Sequence, residues 1–194
     1  MDPSNGYEGV APSFIKGRGQ AVRGIGASAV RGWAKTLLPG SIVLDIGCGT
    51  GIPVSKILIE EGMTVYGIDG SPSLAAAFHS NFPDAPIACE AVEDSAFFDR
   101  KFDGIIAWGL LFLLPESSQL LLIQKVTAAL NIGGKFVFTS PPVRASWFDV
   151  MTKLESRSLG AERYKQLLSD AGLSLIEEME DEGENHYYLT IKTS

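Results

Sequence analysis

The sequence lacks any apolar run of the roughly 20 residues that a membrane-spanning helix requires. The longest apolar run, over residues 104–114, has the length of a buried strand and the few residues that follow it. The first residues, MDPSNGYEG, contain neither the basic nor the apolar region of a signal peptide. We therefore expect a cytoplasmic protein that makes no membrane contact.

Cysteine and histidine are scarce. Cys48 and Cys89 are the only cysteines, and they lie far apart and outside any spacing typical of a metal site. We therefore predict neither a disulfide in a reducing compartment nor a bound metal. The two histidines, His79 and His186, belong to no recognisable Ser/His/Asp arrangement, and a G-x-S-x-G motif is absent. Catalysis through a nucleophilic side chain is not indicated.

Positive charge is also sparse. The chain has 16 lysines and arginines against 23 aspartates and glutamates, which gives a net charge of −7. The basic residues near the N-terminus are spread out rather than clustered. Because phosphate contacts dominate the affinity of proteins for nucleic acids, this charge balance disfavours a DNA or RNA substrate without excluding it.

What the sequence contains is an alternation of strand and helix patterns over 194 residues, a length suited to one domain. Apolar runs predict strands over 41–46, 64–68, 87–91, 102–107 and 135–139, and helical spacing predicts helices over 53–61, 72–82, 116–130 and 161–170. Two more strands, over 174–179 and 186–192, follow. This order predicts an α/β, doubly wound sheet with helices on both faces, which binds ligands at the carboxyl ends of its strands.

The N-terminal segment carries a further helical pattern. Its apolar positions from Val22 to Leu37 recur at helical spacing until Pro39 and Gly40 end the pattern. We expect residues 1–38 to form a helical lid over the site, within a single domain of residues 1–194. The connection over 141–159 is expected to be irregular.

Gly47, Gly49 and Gly51 alternate in the stretch VLDIGCGTG, directly after the first predicted strand and behind Asp45. Such glycines permit a tight turn, or they let a ligand lie against the backbone. The acid at Asp45 is a poor neighbour for a pyrophosphate but suits a ligand that carries positive charge. Asp69, at the end of the second strand, is placed to accept hydrogen bonds from ribose hydroxyls. The spacing D-x-G-x-G-x-G also differs from the G-x-G-x-x-G of dinucleotide sites.

In their order along the chain, these motifs resemble those of the class I S-adenosylmethionine-dependent methyltransferases. LDIGCGTG is similar to the family's first motif, VYGIDGSPSL to its second, CEAVEDSAFF to its adenine-contacting segment and FDGIIAWGLLFLL to its fourth-strand motif. ALNIGGKFVFTSP resembles the turn and fifth strand, and the last two strands resemble the family's reversed hairpin. The resemblance implies a Rossmann-like, seven-stranded mixed sheet of order 3-2-1-4-5-7-6, with S-adenosyl-L-methionine as the cofactor.

The resemblance also implies roles for individual residues. Asp45 and Gly47 would face the methionine end of the cofactor, Asp69 would hold the ribose, and Val92 would offer its backbone N–H to the adenine ring. Arg18 is a candidate partner for the cofactor carboxylate, with an ordinary exposed arginine as the alternative. The residues expected at the cofactor are Arg18, Asp45, Gly47, Cys48, Gly49, Gly51, Ile68, Asp69, Ala91, Val92, Glu93, Trp108 and Gly109.

The methyl acceptor is expected to be a small molecule. Residues 140–143, SPPV, follow the fifth strand and lack an aromatic residue, whereas the similar motif of amino-methylating DNA and RNA enzymes follows the fourth strand. Together with the negative charge, this favours a small methyl acceptor in contact with Trp108, Leu110 and Tyr187. His186, at the start of the last strand, is a candidate general base, with a structural hydrogen bond in the hairpin as the alternative.

The leading prediction is therefore an S-adenosylmethionine-dependent methyltransferase. One alternative is an NAD-dependent oxidoreductase, against which the missing G-x-G-x-x-G counts. The other is a non-catalytic protein that binds S-adenosylmethionine, which the sequence does not separate from an enzyme because methyl transfer needs few protein groups. The sequence carries no signal for an oligomeric state.

Overall fold

The computed structural model describes residues 2–17, 19, 21 and 24–193. Within these residues it contains nine strands, which form one sheet of seven strands and one of two. The strands are β1 (Ile42–Ile46), β2 (Thr64–Asp69), β3 (Ile87–Cys89), β4 (Phe102–Ala107), β5 (Leu130–Thr139), β6 (Ala145–Phe148), β7 (Glu155–Ser158), β8 (Leu173–Glu180) and β9 (His186–Lys192). The α-helices are α1 (Tyr7–Lys16), α2 (Ala27–Ala34), α3 (Val54–Glu60), α4 (Pro72–Asn81), α5 (Glu116–Ala129) and α6 (Ala161–Asp170).

The larger sheet has the strand order β3-β2-β1-β4-β5-β9-β8. Strands β1 to β5 run parallel, and β9 is antiparallel to both β5 and β8. The order in which the chain adds strands therefore reverses between β1 and β4, whose carboxyl ends lie side by side at the edge where such sheets bind ligands. The predicted α/β, doubly wound mixed sheet is confirmed.

The predicted strand order, 3-2-1-4-5-7-6, differs from the observed one in its last two labels. The difference arises from β6 and β7, which pair with each other outside the main sheet in the segment predicted to be irregular. Their sequences, ASWF and ESRS, show no regular alternation of apolar and polar residues, so periodicity does not reveal them. Counted without this pair, the strands of the larger sheet follow the predicted order.

Alternate residues of the central strands enter two different cores. In β5, Phe136 and Phe138 pack with α5 and α6, whereas Val137 packs on the opposite face with α2 and α3. In β9, Tyr188 enters the first core and Tyr187 the second. Because both faces are buried over residues 136–138 and 187–189, these stretches are apolar without interruption in the sequence.

The N-terminal segment forms two helices where the sequence predicted one. Helix α2 covers part of the predicted helix, whereas α1 was not predicted, because Gly9 and Pro12 interrupt its apolar spacing. Val22, at which the predicted pattern began, lies outside the described residues. In the part of the chain that the structure describes, no helix has both the length and the apolar content needed to cross a membrane.

Candidate functional site

A cavity of about 500 Å³ opens at the carboxyl ends of β1, β2 and β4. This volume lies within the roughly 300–1,000 Å³ of small-molecule sites. The walls include Gly47 and Asp69 from the strand ends, Phe14 from α1 and Asn185 from the turn between β8 and β9. Among the described residues that line the cavity there is no lysine, arginine or histidine.

Gly47 and Gly49 form the floor of this cavity, in the loop between β1 and α3. Both adopt positive φ angles, of 70° and 56°, which favour glycine. The backbone N–H of Gly47 donates to the carbonyl of Ile68 over 2.8 Å, which ties the loop to the end of β2. A Cβ atom at Gly49 would lie 3.3 Å from the ring of Phe14. The absent side chains therefore leave backbone exposed to the cavity and room for α1 above it.

Gly51 packs against aromatic residues of α4 and its end, rather than at the cofactor site where the sequence motif predicted it. It does not line the cavity, and a Cβ atom there would collide with the ring of Phe82 and approach Phe78 within 2.9 Å. The third glycine of the motif thus lets the loop pack against the end of α4. The expectation that it brings backbone close to a cofactor does not match this position.

Asp45 lies at the cavity almost completely buried, with 1% of its surface exposed. The hydroxyl of Ser55, on α3, donates to its Oδ2 over 2.6 Å. Burial raises the pKa of Asp45 to about 7, because the charged form loses its hydration; the hydrogen bond from Ser55 opposes the rise and the charge of Asp69 adds to it. No described cation lining the cavity compensates the charge of this acid.

Asp69 ends β2 and is also buried, with 8% of its surface exposed. Its two carboxylate oxygens accept from the backbone N–H groups of Gly49, over 2.8 Å, and Ser71, over 2.9 Å. Burial raises the pKa of Asp69, and these two hydrogen bonds counteract the rise only in part. The pair of acids therefore gives the cavity a negative electrostatic potential.

A second cavity, of about 20 Å³, adjoins the first beside β2 and β3. Ile68 and Val92 line it, as expected from the sequence, and Glu90 lines it as well. Ala91 and Glu93 do not. Glu90 was missed because the sequence does not fix the register beyond β3; in the structure its backbone N–H donates to the carbonyl of Asp69 over 3.1 Å.

On the opposite side, Trp108, Gly109 and Leu110 follow β4 and line the main cavity, as does Cys48. The indole Nε1–H of Trp108 donates to the hydroxyl of Tyr187 over 2.7 Å. That tyrosine is 2% exposed and is not itself part of the cavity wall. Tyr187 was expected to contact the substrate; in the structure it instead holds Trp108, which lines the cavity.

His186 does not reach the cavity. Its Nε2 lies 3.0 Å from Glu178 Oε2, and its ring packs against Tyr188 on the face of β9 that is turned towards α6. Neighbouring residues of a strand point to opposite faces, so His186 points away from the face that Tyr187 shares with Trp108. The prediction of His186 as a general base is not supported by this position, and the alternative of a structural contact in the hairpin matches it.

The N-terminal segment supplies lining residues that the sequence motifs did not identify. They are Pro3, Ser4, Asn5, Tyr7, Phe14, Ala21, Gly24 and Ile25. Glu8, on α1, accepts hydrogen bonds from the hydroxyl and backbone N–H of Ser73, over 2.7 and 3.0 Å, and from the hydroxyl of Ser71. These bonds fasten α1 to the first turn of α4. Arg18, the expected partner of the cofactor carboxylate, lies outside the described residues.

Comparison with known proteins shows that part of the chain is similar in sequence to methyltransferases. Residues 43–134 match the family model described as "Methyltransferase domain". The chain is 31% identical over 99 residues to the tRNA U34 carboxymethyltransferase of Nautilia profundicola, which covers 49% of this chain and 32% of that protein. It is 33% identical over 107 residues to the ubiquinone biosynthesis O-methyltransferase of Coxiella burnetii, which covers 53% of this chain and 44% of that protein. The chain thus spans less than half the length of these curated relatives.

The fold has solved counterparts. The crystal structure of magnesium protoporphyrin IX methyltransferase from Synechocystis with bound SAM superimposes with a TM-score of 0.73 at 16% sequence identity, covering 100% of this chain and 98% of that one. The resemblance drawn from the sequence motifs is thereby confirmed. Residues 43–134 match the model of a methyltransferase domain, and the described chain has the same fold as solved S-adenosylmethionine-dependent methyltransferases.

Proposed function

We propose that the protein is an S-adenosylmethionine-dependent methyltransferase and that the main cavity is its cofactor site. The observation that carries the proposal is the buried pair Asp45 and Asp69, which has no compensating cation among the described residues of the cavity. Buried charges are normally paired, so this arrangement fits a ligand that brings its own positive charge. A dinucleotide with its anionic pyrophosphate would instead be repelled there.

Different residues of the cavity would bind different parts of such a cofactor. Asp45 is available to the cationic methionine end, and Asp69 to the ribose. Ile68, Glu90 and Val92 would enclose the adenine. When bound, the cofactor supplies an electrophilic methyl group on its sulfonium, so the protein needs to align a nucleophile and exclude water.

Helix α1 is suited to exclude that water. Phe14 lies above Gly49, and Glu8 fastens the helix to α4, so residues 2–16 cover the cavity from one side. This supports the expectation that the N-terminal segment forms a lid within a single domain. It also gives a reason for the glycine at position 49, where a side chain would press against the lid.

For the methyl acceptor we propose a small molecule. Gly183 and Asn185, which line the cavity, belong to an acidic turn that also contains Asp181, Glu182 and Glu184, and no described basic side chain lines the cavity. Nucleic-acid phosphates would be repelled from such a surface. A tRNA is the second candidate, because relatives at 31% identity are named tRNA U34 carboxymethyltransferases, so the sequence-based argument against nucleic acid is not supported by the comparisons.

Thermal unfolding with added ligands tests the cofactor assignment. S-adenosylmethionine and S-adenosylhomocysteine should each raise the unfolding temperature, whereas NAD should leave it unchanged. Stabilisation by NAD alone would refute the proposal in favour of an oxidoreductase. Transfer of a labelled methyl group into the small-molecule or the tRNA fraction of a cell extract then separates the two methyl acceptors. Cofactor binding without transfer to either fraction would favour the non-catalytic alternative.

A further inference from the structure

The turn between β8 and β9 carries Asn185, a residue that lines the main cavity and that the sequence motifs did not identify. Its side-chain nitrogen Nδ2 lies 3.0 Å from Asp181 Oδ1 and 2.9 Å from Oδ2. The backbone N–H groups of Asn185 and Gly183 also donate to Asp181 Oδ1, over 3.0 and 2.9 Å. One carboxylate therefore holds both the backbone of the turn and the amide of Asn185.

The same carboxylate is held from the other side. The hydroxyl of Tyr187 donates to Asp181 Oδ2 over 2.8 Å and accepts from the indole N–H of Trp108 over 2.7 Å. Trp108 and Asn185 both line the cavity. A continuous set of hydrogen bonds thus connects the two residues and fixes the part of the cavity wall formed after β4 and before β9, away from the acids of β1 and β2.

The orientation of the Asn185 amide follows from chemistry. A carboxylate only accepts hydrogen bonds, so the nitrogen of the amide must face Asp181 and the oxygen must point elsewhere. Among the residues that the structure describes, the amide oxygen Oδ1 of Asn185 has no hydrogen-bond donor. A fixed hydrogen-bond acceptor is thereby available at the wall of the cavity.

We propose that Asn185 selects the methyl acceptor by accepting a hydrogen bond from it; this inference rests on the proposed function. The rest of this wall is apolar, with Ile25, Trp108, Leu110 and Leu113. The methyl acceptor would therefore be a small, largely apolar molecule that carries an N–H or O–H group. The side chain of Asn185 is half-buried in the free protein. A bound molecule without such a donor would cut its amide oxygen off from water without replacing the lost hydrogen bond, so that molecule would bind more weakly.

Indole and benzofuran are suitable probes, because they match in shape and differ in one N–H donor. Their affinities for the protein saturated with S-adenosylhomocysteine can be compared by ligand-detected NMR titration. We expect indole to bind about 3- to 10-fold more tightly, the range that one hydrogen bond gives. The preference should fall below about 2-fold in Asn185→Ala and in Asp181→Asn, which frees the amide to rotate.

A second readout needs no variant: indole should shift the side-chain amide signal of Asn185, and benzofuran should shift it less. Equal affinity of the two probes, no binding of either, or a preference that survives in a folded Asn185→Ala protein would each overturn the inference. Calorimetry with S-adenosylhomocysteine alone distinguishes a failure of the proposed function from a failure of the role of Asn185. Loss of that binding refutes the proposed function, whereas intact cofactor binding without an indole preference refutes only the role of Asn185.

Discussion

Replacing Asp45 with asparagine should stabilise the ligand-free protein at alkaline pH while weakening its affinity for the cofactor. The folded protein holds the pKa of Asp45 at about 7, against an ordinary value of 3.8. A group whose pKa is raised by folding contributes most to stability below its unfolded pKa, and that contribution is lost as the pH rises towards the folded pKa. The shift in pKa lowers the free energy of unfolding of the wild-type protein by about 4 kcal/mol at pH 8. About 2.5 kcal/mol of this decrease falls between pH 5 and pH 8.

Asparagine removes this titration but retains an oxygen for the hydroxyl of Ser55. Urea unfolding of both proteins at pH 5, 6, 7 and 8 measures the effect. The amide does not titrate, so any cost of burying it is the same at every pH. The informative quantity is therefore how the difference in free energy of unfolding between the two proteins changes with pH. Relative to the wild type, Asp45→Asn should gain about 2.5 kcal/mol between pH 5 and pH 8.

The exposed Asp84 offers a matched control, and Asp84→Asn should show no such pH-dependent gain. At pH 8 the Asp45→Asn protein should also bind S-adenosylhomocysteine about 10- to 100-fold more weakly, as expected for the loss of one hydrogen bond to a charged group. A stability difference that stays constant from pH 5 to pH 8 would refute the conclusion that Asp45 is a buried, uncompensated acid.

Three further substitutions test other parts of the site. Glu8→Gln should weaken the attachment of α1 to α4 and speed proteolysis of the N-terminal segment, whereas Glu162→Gln on the exposed surface of α6 should not; equal cleavage rates would contradict the role of α1 as a lid. Gly51→Ala should lower the free energy of unfolding by more than about 2 kcal/mol, because the new methyl group meets Phe82 at a positive φ; urea denaturation measures this, and a neutral result would exclude the packing role. Tyr187→Phe should cost about 1–3 kcal/mol, because it removes the hydrogen bonds of this hydroxyl to the half-buried Trp108 and to Asp181. An unchanged unfolding midpoint would show that these hydrogen bonds contribute little.

The central sheet could be predicted because its signal is local. The strands around Leu44 and Ile105 are buried on both faces, so an apolar run was sufficient to find them. The acids Asp45 and Asp69 could be placed at the cavity because each stands at the end of such a strand, and parallel strands end at the same edge of a sheet.

The parts that were missed depend on contacts between distant residues. Helix α1 is fastened by Glu8 to serines more than 60 positions away, and its own sequence contains a proline. The surrounding of Gly51 depends on Phe82, on a different helix end. The face to which His186 points depends on where the preceding turn ends, since a shift of one residue reverses every side chain of a strand.

Calorimetry of S-adenosylmethionine binding, performed in two buffers of different ionisation enthalpy, tests the proposed cofactor site most directly. Because the pKa of Asp45 is about 7, most of these carboxyl groups are protonated at pH 6 and few at pH 8. A cationic ligand should therefore bind with release of a large fraction of one proton at pH 6 and of much less at pH 8, where the α-amino group of the ligand itself also takes up protons on binding. Binding of NAD in place of S-adenosylmethionine, or binding of the latter without any proton release at pH 6, would contradict the assignment.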